Sequence, residues 1–202
     1  MQVTRRTLVA GGLGLAAGVS SLPRSALANM MPRQLSPRLA TLAMAALERH
    51  RGSFSASDRI GIADFSQPSR VPRFHILDMD TGESRSLLVA HGRGSDPSHS
   101  GWLRSFSNEP GSNATSAGAY LTAASYTGSH GSSRRLIGLD PENDNAEDRA
   151  IVIHPAWYAN PEIVRQQGKL GRSEGCFAFA ERDIDLVLSQ LGEGRMIYAN
   201  RV

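Results

Sequence analysis

The stretch Gly171-Arg172-Ser173-Glu174-Gly175-Cys176-Phe177-Ala178-Phe179 holds the single cysteine of a 202-residue chain. A thiol does chemistry as its thiolate. It needs a base or positive potential nearby, small neighbours that let a carbonyl approach, and N–H donors for the oxyanion that forms. This stretch supplies several of these. Gly175 permits a tight turn and keeps the approach open. The backbone N–H groups of Gly175 and Cys176 are candidates for an oxyanion hole. Ser173 can orient a partner through its hydroxyl, and Arg172 adds positive potential. The base must come from elsewhere. His154 ends the apolar run Ala150-Ile151-Val152-Ile153, and Pro155 stops the ladder after it. A histidine at a strand end facing a loop-lined cleft suits a general base, with its second ring nitrogen needing an acceptor, such as a backbone carbonyl, to fix the tautomer. The reaction class is acyl transfer through a thioester. The plainer alternative is a buried, inert cysteine acting as a small hydrophobe, beside a structural histidine.

The compartment sharpens this choice. Residues 1–28 have a basic head (Arg5, Arg6), a Gly/Ala-rich centre and the small-residue end Ala26-Leu27-Ala28, which reads as an export signal with Asn29 as the first mature residue. Arg5-Arg6, with Leu8 and Val9 after them, resemble a twin-arginine signal, which places the mature protein in the periplasm or cell envelope. An ordinary secretory signal that happens to contain two arginines is the alternative. Exported proteins usually pair their cysteines or avoid them, so one unpaired thiol points to a partner chain, a buried side chain or a reactive nucleophile. Three of the 22 basic residues and none of the 19 acidic ones lie in residues 1–28, so the mature chain is close to neutral. The whole-chain pI of about 9.5 is therefore no nucleic-acid footprint. No later segment is apolar and long enough to span a bilayer.

The elements that must position these residues follow from pattern. The length suits one domain. Ser36-Pro37 opens a helix whose apolar face is Leu39, Leu42, Ala43, Ala46 and Leu47, so residues 29–52 read as an N-terminal helical segment packed on the main body, residues 53–202. Beyond Gly52, short strand-like runs alternate with Gly, Ser, Pro and Asn: Ile60–Phe65, Arg73–Met79, Ser84–Ala90, Ala119–Tyr126, Arg135–Leu139, Ala150–His154 and Met196–Ala199. A second helix fits Asp183–Leu191. The long polar stretches Gly92–Gly118, Gly128–Arg134 and Pro141–Arg149 read as loops. With His91, His99, Trp102, Asn108 and His130 in or beside them, they read as site-building loops, with plain solvated loops as the alternative.

At His154 and Ser173-Glu174-Gly175-Cys176 the sequence resembles the L,D-transpeptidase (YkuD-like) family, whose pattern is a histidine, roughly fifteen to twenty residues, then [S/T]-x-G-C with the cysteine as nucleophile. A divergent branch of murein L,D-transpeptidase catalytic domains is closer. It is similar also at Asp64-Phe65-Ser66, Ala90-His91-Gly92-Arg93-Gly94-Ser95, Phe106-Ser107-Asn108, Tyr126-Thr127-Gly128-Ser129-His130-Gly131 and Arg149-Ala150-Ile151-Val152-Ile153-His154. The resemblance implies a mainly β, single-domain α+β fold, a mixed β-sandwich with an N-terminal helix. It implies Cys176 as nucleophile, His154 as base and Ser173 in support. Arg172, His91, Asn108, Tyr126 and Arg149 would bind substrate, and no metal or cofactor is required. The implied partners are peptidoglycan stem peptides, with a second stem, a cell-wall lipoprotein amine or water as acceptor. Water would make the enzyme an L,D-carboxypeptidase. A monomer is the expectation. The family arginine after the cysteine is Ala178 here, so Arg172, Arg149 or Arg134 must meet the substrate carboxylate. Pro155 and Phe177 also depart from the usual pattern.

Three rival readings differ in class. A Cys/His cell-wall amidase or endopeptidase has the same local needs, but such folds usually place cysteine before histidine. A zinc site could draw on His91, His99, His130, His154 and Cys176, although their spacings match no closed zinc pattern. A non-catalytic wall-binding module would have no need to retain both Cys176 and His154.

Overall fold

The computed structural model describes residue 32 and residues 35–202. The export signal expected over residues 1–28 lies outside the described residues. Helix α1 (Pro37–Arg49) begins with proline at its first turn, where the missing N–H leaves no bond unmade. Leu39, Ala40, Ala43 and Ala46 form its buried face. They pack on Ile60, Ile62, Leu77, Ala119, Met196 and Tyr198. Burying Leu39 alone contributes roughly 1.5–3 kcal/mol. The far end of α1 is pinned by Asp140, whose carboxylate accepts from Arg49 (2.9 Å), His50 Nε2 (2.8 Å) and the Ala119 N–H (2.7 Å). Burial alone would raise the Asp140 pKa, but those donors outweigh it and hold it below the usual carboxylate range.

The strands are β1 (Arg59–Asp64), β2 (Phe74–Asp78), β3 (Ser84–Leu87), β4 (Gly118–Gly128), β5 (Gly131–Gly138), β6 (Val152–Pro155), β7 (Phe177–Phe179) and β8 (Met196–Asn200). They join in one mixed sheet of order β3-β2-β1-β8-β4-β5-β6-β7, with β1–β8 and β6–β7 parallel. Period-2 alternation decides which face each residue buries. On β8, Met196 and Tyr198 face α1, while Ile197 and Ala199 face the main core. The sheet curls so that its two ends meet. Phe74 of β2 packs edge-on against Phe179 of β7 at 4.8 Å, and Ala90, just beyond β3, bridges Ala178 of β7. One hydrogen-bonded sheet thus forms both layers of the expected sandwich. Helix α2 (Pro161–Gln167) links β6 to the cysteine loop, and α3 (Ile184–Gln190) buries Ile184 and Val187 in the main core.

The expected strands and both expected helices are present, with shifted ends. Three features differ. Phe177–Phe179 is a strand, too short to show a period. Pro161–Gln167 is a helix that sequence pattern missed. The expected loop Gly128–Arg134 is instead a tight hairpin: Gly128 pairs with Gly131, and only Ser129-His130 turn the chain.

Candidate active site

Strand pairing brings the cysteine to the histidine. In the parallel β6–β7 register, Ile153 faces Phe177 and His154 faces Ala178. Ile153 and Phe177 point into the core, so His154 lies on the opposite face. Cys176, one residue before β7, falls beside Val152 on that same face, diagonal to His154. Such diagonal neighbours lie roughly 7–8 Å apart, their Cβ atoms somewhat closer, within reach of an imidazole. Both residues line a cleft of about 580 Å³ that also receives Tyr126, His130, Arg149, Tyr158 and Arg172.

His154 is only 3 % exposed. Its Nδ1 lies 2.9 Å from the Pro155 carbonyl oxygen. A carbonyl can only accept, so Nδ1 carries the proton and Nε2 carries the lone pair. Burial lowers the His154 pKa most; the Pro155 contact opposes this, and nearby His130 adds to the lowering. The resting imidazole is therefore neutral, and its proton-accepting nitrogen is the one not bound to Pro155.

Cys176 is half-buried. Its sulfur donates to the Ala150 carbonyl at 3.6 Å. Burial raises the thiol pKa most, and Glu174 raises it further. The Val152 N–H and the Arg149 guanidinium pull it down but do not win. The resting pair is a neutral thiol beside a neutral imidazole, so forming the thiolate requires a proton to leave the sulfur. Ala150 lies before β6, not within it as expected. It holds a left-handed backbone, φ 53°, that costs a non-glycine residue roughly 1–2 kcal/mol and aims its carbonyl at the sulfur.

The turn ahead of the cysteine is built by Ser173. This residue is buried, and its hydroxyl donates to the Cys176 carbonyl (2.7 Å) and accepts from the Gly175 N–H (3.2 Å). That bond corrects one expectation: the Gly175 N–H is committed to Ser173, while no hydrogen bond to the Cys176 N–H is found among the described residues. Gly175 has φ 121°, and a Cβ there would sit 2.8 Å from the Ala114 carbonyl oxygen, so only glycine fits.

Arg149 reaches the wall of the cleft, but both its terminal nitrogens are engaged. Its guanidinium donates to the Ser107 carbonyl (2.9 Å), the Ser116 hydroxyl (3.4 Å), the Ser112 hydroxyl (3.3 Å) and the Ala114 carbonyl. It pins the Ser107–Ser116 loop and lends the sulfur positive potential. Arg172 differs. One terminal nitrogen donates to the Asp96 and Pro97 carbonyls, while no bond from its other two guanidinium nitrogens is found among the described residues. Arg134 lies off the cleft, bound to the Ala123 and Leu188 carbonyls.

Two expected substrate contacts sit elsewhere. His91 is buried. Its Nδ1 accepts from Arg73 at 2.7 Å, and its carbonyl accepts from the Ser173 N–H at 2.9 Å, so it supports the turn from beneath. Arg73 is itself fully buried, donating also to the Val89 and Gln67 carbonyls. Asn108 joins two loops through the Pro141 carbonyl (3.1 Å) and Asp144 (2.6 Å). Of the suggested zinc ligands, His130, His154 and Cys176 share the cleft, while His91 and His99 lie away from it. His99 Nε2 donates to the Leu170 carbonyl, and no group of three His, Cys, Asp or Glu side chains that could hold a metal ion exists among the described residues. Sequence reasoning did not assign Tyr158 to the site; it placed His130 in a site-building loop but gave it no part beside His154, whose ring lies 4.6 Å away. The Gly-Ser-His-Gly turn chemistry was the available signal for His130.

Residues 32–200 match the family described as the L,D-transpeptidase catalytic domain. Among solved structures, the chain is similar to an L,D-transpeptidase from Mycobacterium tuberculosis (14 % identity, TM-score 0.46, covering 71 % of this chain and 57 % of that one). It is similar to an L,D-transpeptidase from Mycobacterium smegmatis (15 %, 0.42, covering 72 % and 59 %). A third is the helical cell shape determining protein Pgp2 from Campylobacter jejuni (13 %, 0.45, covering 89 % and 57 %). The chain thus spans less than two thirds of the length of these solved chains. No curated protein sequence matches it.

Proposed function

The chain belongs to the L,D-transpeptidase catalytic-domain family, and from that premise we propose that it is a peptidoglycan L,D-transpeptidase acting through a Cys176 thioester in the cell envelope. The observation that carries this reading is the shared face and shared cleft of Cys176 and His154, with His154 Nδ1 turned to the Pro155 carbonyl. Nε2 of His154 takes the thiol proton as the sulfur attacks the amide between the L-centre of a diacid residue and the terminal D-alanine of a stem peptide. The Cys176 N–H meets the oxyanion. As the C–N bond breaks, the proton passes from Nε2 to the departing D-alanine amine, and the acyl group stays on sulfur. Arg172 holds a substrate carboxylate with its unengaged nitrogens. A side-chain amine of a second stem then displaces the sulfur, giving a 3→3 cross-link. Water in that role gives the L,D-carboxypeptidase product, and a lipoprotein amine gives an anchored protein. Among the described residues no helix is long and apolar enough to cross a membrane.

The test uses a disaccharide-tetrapeptide substrate with wild type and Cys176→Ala. D-alanine is released by wild type only, and a carbapenem adds its mass to wild type only. Equal release by the alanine variant removes the nucleophile from the reading.

A further inference from the structure

The hairpin of β4 and β5 places a second imidazole on the first. His130 sits at the exposed tip, and its ring centroid lies 4.6 Å from that of His154 with 32° between the planes. Both rings line the same cleft. The tip is held in place. Gly131 turns with φ 83° and packs close to Pro155, whose Cγ would lie 3.7 Å from a Cβ at that position. Gly128 lets the Tyr126 ring close on the turn. An imidazole open to solvent is thus stacked on one that solvent hardly reaches. A positive charge on the His130 ring would disfavour one on His154 at this separation.

The chemistry of the second half-reaction needs two bases. This argument rests on the transpeptidase reading. An acceptor amine arrives as an ammonium and leaves as an amide nitrogen, so it loses two protons. One goes back to the Cys176 sulfur. The other must reach solvent before the nitrogen can attack. His154, with Nδ1 held by Pro155, has one nitrogen to offer and can carry one of them. Glu174 also lines the cleft, but its carboxylate is paired with Arg93 at 2.9 Å.

We propose that His130 is the second catalytic base: it takes the first proton from the acceptor ammonium and passes it to water. His154 takes the second as the C–N bond forms, and returns it to sulfur as the C–S bond breaks. The balance is one thioester and one ammonium giving one amide, one thiol and one proton released to solvent.

The experiment is single-turnover decay of the thioester formed from a disaccharide-tetrapeptide, in wild type and His130→Gln, with two nucleophiles. One is an alkylamine that is an ammonium at the assay pH. The other is hydroxylamine, which is neutral there and has no first proton to lose. The variant is expected to lose about 100-fold or more with the alkylamine, and only a small factor with hydroxylamine. Its products shift from cross-link to hydrolysed stem. Equal losses with both nucleophiles assign His130 a purely structural part and overturn the inference, as does an unchanged alkylamine rate. A wild type that forms no thioester at all overturns the transpeptidase reading and takes this inference with it, so the two failures are told apart.

Discussion

The Ser173 hydroxyl donates to the carbonyl oxygen of Cys176 at 2.7 Å while accepting from the Gly175 N–H. A buried side chain thus closes the turn that carries the nucleophile, and its role is positioning. Removing the hydroxyl leaves two buried backbone groups unpaired, a cost of about 1–3 kcal/mol. Ser173→Ala is expected to lower kcat/KM for D-alanine release by roughly 10- to 100-fold, with Ser173→Thr recovering most of it. A fully active alanine variant would mean that the backbone holds the turn unaided.

Gly92 offers a test in which no functional atom is touched. A Cβ there would come within 2.4 Å of the Asn113 carbonyl oxygen and 2.8 Å of the Gly175 Cα and nitrogen, pushing directly on the turn that carries Cys176. Both neighbours are backbone and cannot swing away. Gly92→Ala is expected to cost about 1–3 kcal/mol of stability, seen as a Tm lower by several degrees, together with loss of D-alanine release. Retained activity at an unchanged Tm would contradict the contact.

The pH dependence has a sign fixed by burial. On the proposed mechanism the neutral form of His154 acts as the base, and its pKa is lowered chiefly by burial. The acid limb of kcat/KM should therefore fall below the ordinary imidazole range near 6.5, with activity lost as pH drops through the lowered value. Stability follows a related rule. His75 is fully buried, and burial pushes its pKa down to about 4, while the unfolded chain takes up the proton near 6.5. Between those values the unfolded state binds more protons, so stability falls as pH falls, by up to about 1.4 kcal/mol per unit for this histidine. His91, also buried and beside the Arg73 cation, acts in the same direction. Urea unfolding at pH 7 and pH 5 reads this, and equal stabilities at the two would show that these histidines titrate freely.

Legibility in the sequence tracked the length of each pattern. Helix α1 was readable because proline at its start and five apolar positions repeat over several turns. Strands β1, β2 and β8 were readable because apolar runs are bounded by turn residues. The three-residue β7 carries no period, yet its pairing with β6 is what places Cys176 beside His154. Polar character misled at two points. His91 reads from the sequence as a substrate contact, but it satisfies a buried arginine. Asn108 reads the same way, but it ties two loops together. Such partners are distant in sequence, so composition alone gives no sign of them. The stacking of His130 on His154 is hidden for a different reason: a Gly-Ser-His-Gly segment reads equally as a loose loop or a tight turn, and only the tight turn brings the ring onto His154.

Arg172 and Arg149 both line the cleft, but they should fail differently. Arg149 spends its guanidinium on the Ser107–Ser116 loop, whereas Arg172 keeps nitrogens unengaged among the described residues. A charge-assisted hydrogen bond to a substrate carboxylate is worth about 1.5–3 kcal/mol. Arg172→Gln should therefore raise KM for the tetrapeptide by roughly 10- to 100-fold and leave Tm nearly unchanged. Arg149→Gln should lower Tm, because four acceptors lose their donor. The sharper measurement pairs Arg172→Gln with a substrate whose terminal carboxylate is an amide. If Arg172 binds that group, amidation penalises wild type and adds almost nothing to the variant, because the interaction is already gone. An equal penalty in both proteins would assign the carboxylate to another cation of the cleft.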